Sequence, residues 1–191
     1  SLPGRQQDLI NRLAAVNPNV VAVIFSGGVC TFERCIGNIR GLIYAFYPGQ
    51  EAGRAVAEVL FGRVNPGGRL PVTIPQNVSQ LPPWNDDLND DYGCGYRWFD
   101  ATGNTPGFAF GSGLSYTTFS YEALDVAPSS VAPGEPVQVS VTVTNTGLVA
   151  GDEVVQLYLS YATPPVPMPT KVLKGFRRIT LTPGESQRVT F

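Results

Sequence analysis

Two glutamates stand where acid–base chemistry would call for them. Glu33 lies in VCTFERC (29–35), just after an apolar run, so it sits at the carboxyl end of a predicted strand, where α/β proteins build their sites. Glu51 lies at the centre of YPGQEAG (47–53). Each also has a plainer role. A glutamate in the first turn of a helix is favoured by the macrodipole and the free N–H groups there, which is the expectation for Glu51. For Glu33 the expectation is a solvated loop charge. Asp86, Asp87, Asp90 and Asp91 offer oxygen ligands of the kind calcium takes. They lack the glycine and terminal glutamate of an EF-hand loop and read as a solvated acidic loop. Tyr96, Trp98 and Phe99 have faces that stack on sugar rings, with packing at a domain interface as the plainer reading and Arg97 as its brace. Asn77-Val78-Ser79 has the form of a glycosylation acceptor.

The chain of 191 residues contains no histidine. A Ser-His-Asp triad, a Cys-His dyad and an HExxH zinc site are thereby excluded. Hydrolysis would have to run on carboxylates, a lysine or a tyrosine. Cys30, Cys35 and Cys94 are too few for a four-cysteine zinc site, show no CxxC spacing and read as small, partly buried thiols. Gly27-Gly28 and Gly67-Gly68 fit no phosphate-binding spacing and read as turns. No catalytic, cofactor-binding or metal-binding residue is assigned, substrate contacts stay open, and no cofactor is expected. A net charge of −2 offers no footprint for nucleic acid or an anionic membrane. The longest apolar stretch, residues 20–25, is far shorter than the roughly 20 residues of a membrane span. No signal peptide is visible, and since the first residue is serine, a leader ahead of it is compatible with the sequence.

Those side chains need elements to hold them. With 43% hydrophobic and 15% charged residues the chain can build a core, and 21 glycines with 17 prolines favour short strands and turns over a helical bundle. Residues 3–17 predict a helix, with Leu9, Ile10, Leu13 and Val16 at helical spacing and Asn17-Pro18 as its stop. Residues 20–25 and 41–47 predict buried parallel strands. Residues 50–61 predict a second helix closed by Gly62, and residues 69–74 an edge strand bracketed by Pro71 and Pro75. This order belongs to an α/β layer, but three strands and two helices are too few to complete one. Residues 76–116 read as an ordered aromatic and acidic linker without predicted elements. From 119 onward the period is two, as in Val137, Val139, Val141 and Val143 alternating with polar residues. Strands over 136–144, 153–161, 172–181 and 187–191 follow, about five in all from 119 to 191. An immunoglobulin-like sandwich needs about seven strands and 100 residues, so this one is expected to be cut short. The fold class is α/β plus all-β: a partial α/β layer, then a sandwich.

Five stretches carry a family likeness: SLPGRQQDLI (1–10), YPGQEAGRAVAEVLFGRVNPGGRLPVTIP (47–75), GYRWFD (95–100), FAFGSGLSYTTFSY (108–121) and KVLKGFRRITLTPGES (171–186). Together they resemble glycoside hydrolase family 3, the β-glucosidases and β-xylosidases. The resemblance implies the end of that family's α/β-sandwich domain (1–75), its linker (76–116) and most of its fibronectin type III-like domain (117–191). It also implies a barrel domain ahead of residue 1 that supplies the nucleophilic aspartate, usually in a Ser-Asp-Trp context absent here. The acid/base glutamate would lie a short way upstream of SLPGRQQDLI. VCTFERC departs from the family, which more often shows a proline-containing segment there. The chain alone is therefore expected to be inactive, a part of a secreted or periplasmic glycosidase for β-linked glucose or xylose. The alternative is a non-catalytic carbohydrate-binding or structural module. Low independent stability is expected, or partner chains in place of missing parts.

Overall fold

The computed structural model describes residues 1–83 and 93–191, so Trp84 and the acidic cluster Asp86, Asp87, Asp90 and Asp91 lie outside the described residues. Two units emerge. The first comprises Ser1–Ala57, Leu70–Ser112 and Pro165–Thr170. The second comprises Glu58–Arg69, Gly113–Pro164 and Lys171–Phe191.

In the first unit, QQDLINRLAAV is free of glycine and proline and forms α1 (Gln6–Val16), ended by the extended Asn17 ahead of Pro18. β1 (Val21–Ile24) and β2 (Gly41–Tyr44) pair in parallel, with Val21 opposite Gly41 and Ile24 opposite Tyr44. α2 (Ala52–Leu60) follows, its last turn from Glu58 counted with the second unit, and Gly62, at φ +71, supplies the left-handed stop. The core gathers Leu2, Ala22, Ile24, Phe32 and Ile74, with Cys30 and Cys35 buried among them.

The apolar recurrence in α1 marks the helix but not its inward side. Gln7 is fully buried and Ile10 packs against the core, whereas Leu9, Leu13 and Val16 are exposed. The polar face instead clasps the 31–38 loop. Gln7 Oε1 accepts the Arg34 N–H at 3.1 Å, Asn11 Nδ2 donates to the Arg34 carbonyl at 2.8 Å, and Asn38 Nδ2 donates to Asn11 Oδ1 at 2.9 Å.

The edge strand predicted over 69–74 does not form. Residues 70–74 run beside 108–112, joined by single bonds at Leu70 and a lone bridge between Ile74 and Phe108. Pro71 and Pro75 have no N–H to give, so no ladder propagates. Conversely, α3 (Gly95–Thr102) arises in the stretch read as elementless. Eight residues are too few for an apolar period to declare itself, although Tyr96 and Phe99 stand at i, i+3.

The second unit holds five strands: β3 (Phe119–Ala127), β4 (Gln138–Asn145), β5 (Gly151–Leu159), β6 (Val172–Leu181) and β7 (Ser186–Thr190). One antiparallel sheet has the order β3-β4-β7, and a second pairs β5 with β6. The inward valines of β4 meet both sheets. Val141 and Val143 join Val155, Ile179, Leu181 and Val189 in a core flanked by Phe119 and Phe191. Each such aliphatic residue contributes about 1.5–3 kcal/mol by leaving water.

Candidate functional site

Because β1 and β2 run in parallel, their carboxyl ends bring Ser26 and the 45–47 segment into one neighbourhood. The Ser26 hydroxyl donates to the Gly28 carbonyl at 2.9 Å and lies 3.5 Å from Cys30 Sγ. The Tyr44 hydroxyl donates to the same carbonyl. The exposed Tyr47 ring lies over Gly27, where a Cβ would stand 2.3 Å from it and would have to push that side chain aside. Phe46 adopts φ +51, an unusual value for a bulky residue, with its ring 4.7 Å from that of Tyr44. Backbone outliers of this kind gather at functional sites. Burial, more than any neighbour, raises the Tyr44 hydroxyl above its ordinary range, so it stays protonated at neutral pH and acts as a donor. Ser26 has a thiol and a carbonyl beside it but no imidazole to take its proton. The cluster can hold and orient; it has no general base for serine attack.

Glu33 is exposed in the loop between β1 and β2. The nearby Thr31 hydroxyl, followed by its own backbone N–H, holds its carboxyl below the usual range. A proton donor to a leaving sugar oxygen needs the opposite shift, a carboxyl kept protonated toward neutral pH. Glu51 is also exposed and stands just ahead of α2, where its carbonyl accepts the Ala55 N–H at 3.0 Å. Among the described residues no hydrogen bond joins the two glutamates. Burial raises the Cys35 thiol, and the Glu33 charge adds to it, so Cys35 is disfavoured as a thiolate nucleophile. Cys94 is exposed ahead of α3.

The aromatics of α3 are engaged within the first unit. The Trp98 indole N–H donates to the Gln80 carbonyl at 2.8 Å, and Phe99 is buried. Tyr96 lies 5.3 Å from Phe110, with the Arg97 guanidinium 5.8 Å from its ring centroid. Asn77 Oδ1 accepts from both the N–H (3.0 Å) and the hydroxyl (2.5 Å) of Ser79, opening a short 3-10 turn at Val78–Gln80. Among the described residues no group of three or more cysteine, aspartate or glutamate side chains could hold a metal ion.

Three polar centres in the second unit were not singled out from the sequence, although Asn65 and Arg69 lie within the 47–75 stretch that carries the family likeness. Asn145 is fully buried, and all four of its side-chain bonding positions are used. Its Oδ1 accepts from Thr117 Oγ1 (2.6 Å) and Gly147 N (3.0 Å), while Nδ2 donates to the carbonyls of Val149 and Leu181 at 2.9 Å each. Parity was the available signal, because 145 continues the inward series 139, 141 and 143. Asn65 Nδ2 donates to the Ala150 carbonyl at 2.9 Å, and its Oδ1 accepts from Ser115 Oγ and Tyr116 N. Arg69 Nη2 meets Glu153 Oε2 at 2.8 Å, with side chains only 9% and 13% exposed. Gly67 makes room beside them, since a Cβ there would stand 2.6 Å from that of Asp152.

Residues 1–116 match the glycosyl hydrolase family 3 C-terminal domain, and residues 153–191 match a fibronectin type III-like domain. A β-xylosidase of Formosa agariphila is 41% identical over 190 residues, covering 100% of this chain and 26% of that protein. The thermostable β-glucosidase B of Acetivibrio thermocellus is 40% identical over 199 residues, again covering 100% of this chain and 26% of the relative. The solved structure of a Bifidobacterium adolescentis family 3 β-glucosidase superposes with a TM-score of 0.89 at 36% identity, covering 99% of this chain and 29% of that one. β-Glucosidase 3B of Thermotoga neapolitana, in complex with glucose, gives 0.88 at 33% identity, covering 100% and 28%. The chain thus spans about a quarter of the length of the curated relatives it matches. It belongs to glycoside hydrolase family 3, of which it is a C-terminal portion joining the α/β domain to the fibronectin type III-like domain.

Proposed function

We propose that this chain is the C-terminal part of a retaining β-glycosidase that removes terminal β-linked glucose or xylose, and that alone it is catalytically silent. The observation that carries this reading is its full-length match, near 40% identity, to β-glucosidases and a β-xylosidase about four times as long. Retention of configuration needs two carboxyl groups about 5–5.5 Å apart, one nucleophile and one proton donor. Glu33 is biased toward the ionised form and so is a poor donor. In this reading the nucleophilic aspartate and the acid/base glutamate come from polypeptide upstream. Residues 1–75 finish the α/β-sandwich domain, 76–116 form its linker, and 117–191 form the fibronectin type III-like domain that braces the assembly. The parent enzyme works outside the cytoplasm. No helix among the described residues is long and apolar enough to cross a membrane.

The test is hydrolysis of aryl β-glucosides and aryl β-xylosides by the purified chain. No turnover above buffer is the expected result. Turnover that disappears in Glu33→Gln or Glu51→Gln would overturn the reading.

A further inference from the structure

β6 carries Phe176, Arg177 and Arg178 in a row, a local run of cations in a chain whose net charge is −2. Among the described residues β6 pairs only with β5, and β7 only with β4. A groove of about 400 Å³ takes its lining from both strands, including Arg177, Arg178, Gln187, Arg188 and Thr190. Alternation explains how the arginines reach it. Arg177 shares parity with the buried Ile179 and Leu181, so it starts from the inner face of β6, yet it is exposed. At a strand edge a long side chain can lay its stem along the core and turn its head to water. Arg177 has no carboxylate partner among the described residues.

The other two guanidiniums are held in place. Arg178 Nε donates to Asp152 Oδ2 at 2.9 Å and its Nη2 donates to the same oxygen, while Thr180 Oγ1 donates to Oδ1 at 2.6 Å. Arg188 Nη2 donates to Ser140 Oγ at 2.5 Å and lies 3.4 Å from Asp125 Oδ2. Three guanidiniums against two carboxylates leave the groove net positive. Beside it Phe176 stands on the outer face of β6, two residues from Arg178 and opposite Gln156, and is 68% exposed. A small inorganic anion has no use for an aromatic face, and an apolar partner has none for three arginines. A sugar that carries a carboxylate matches both, because its C–H face covers an aromatic ring and its carboxylate takes the planar fork of a guanidinium.

We propose that the β6–β7 groove binds uronic-acid residues of a β-linked polysaccharide, the carboxylate among the arginines and the sugar ring on Phe176. The choice of a β-linked polymer rests on the glycosidase reading, whereas the charge complementarity rests on the groove itself. The site would keep the protein on an acidic polymer such as glucuronoxylan.

The test is affinity electrophoresis of the 191-residue chain in gels holding glucuronoxylan, or the same polymer with its carboxyls reduced to alcohols. The acidic polymer is expected to retard the chain, and the reduced polymer to bind at least about fivefold more weakly. Salt at about 0.5 M should abolish the difference, since screening then acts within a few ångströms. Arg177→Gln and Phe176→Ala should each weaken binding about fivefold and leave the melting temperature within about 2 °C, because both side chains are exposed. Arg40→Gln removes an equal charge from an exposed position of the first unit and should leave retardation unchanged. Equal retardation by the reduced polymer, no loss in Phe176→Ala, or the same loss in Arg40→Gln as in Arg177→Gln overturns the site. Equal retardation by single-stranded DNA overturns it too, as it would mark indiscriminate attraction of polyanions. Binding is read without turnover, so a failed site leaves the glycosidase reading standing, and a retarded chain keeps the site whether or not that reading survives.

Discussion

The two units solve the same problem in opposite ways. The second has a fully satisfied interior: Val143 and Leu181 are fully buried, and Asn145 has every bonding position filled from four directions, although Leu124 and Phe176 face solvent. The first is well packed on one side only. Its core excludes water around Ile74 and Cys35, yet α1 shows leucines to solvent and leaves Gln7 Nε2 buried without a hydrogen-bond partner. The second unit thus spends a polar side chain, the Asn145 hub, on its interior with every bond satisfied, and the first turns apolar side chains of α1 to solvent.

Breaking the hub should have the largest effect. Asn145→Ala orphans the buried Thr117 hydroxyl and Leu181 carbonyl, with the partly buried Gly147 N–H and Val149 carbonyl beside them, and should lower stability by about 4 kcal/mol in urea unfolding. A loss below about 1 kcal/mol would show that the second unit does not depend on it. Next comes the Arg69–Glu153 pair. Arg69→Met leaves a nearly buried carboxylate unpaired and should lose about 3 kcal/mol, most of it recovered by adding Glu153→Leu. A double variant no better than the single would refute the pairing. Gly67→Ala drives a methyl against Asp152 and should lose about 2 kcal/mol.

The smallest effects are electrostatic and pH-dependent. Hydrogen bonds from Thr180 and Arg178 hold the Asp152 carboxyl below its ordinary 3.8. A carboxyl with a depressed folded pKa adds stability that is present above the unfolded value and fades as pH falls through the folded one. Asp152→Asn should therefore flatten stability against pH below about pH 4 and leave that slope unchanged at pH 6. Tyr121 is the converse case. Burial, followed by the Glu153 charge, pushes its hydroxyl up to about 12, so its contribution is complete below pH 10 and lost between about 10 and 12. Tyr121→Phe should remove that alkaline limb, which a pH titration of the melting temperature would detect.

Legibility in the sequence followed the same divide. The strand predicted over 172–181 coincides with β6, and the period-two run of β4 places Val141 and Val143 inside, because a strand with one wet face declares its polarity. The helix at 6–16 was equally readable as a helix, but periodicity identifies an apolar face without saying what covers it. Residues 69–74 failed as a strand for want of proline N–H groups. The unpaired edges of the β1–β2 sheet among the described residues could be anticipated from too few strands, whereas the Ser26–Tyr44–Gly28 cluster depends on a register that no local pattern encodes. Family motifs supplied what periodicity could not, since they carry the register of a whole domain.

The most direct measurement is turnover of an aryl β-glucoside and an aryl β-xyloside at neutral pH by two proteins side by side: the 191-residue chain, and β-glucosidase B carrying this chain in place of its matching quarter. The account predicts hydrolysis of at least one substrate by the chimera and none by the chain alone. Turnover by the chain alone, abolished by Glu33→Gln, would contradict it.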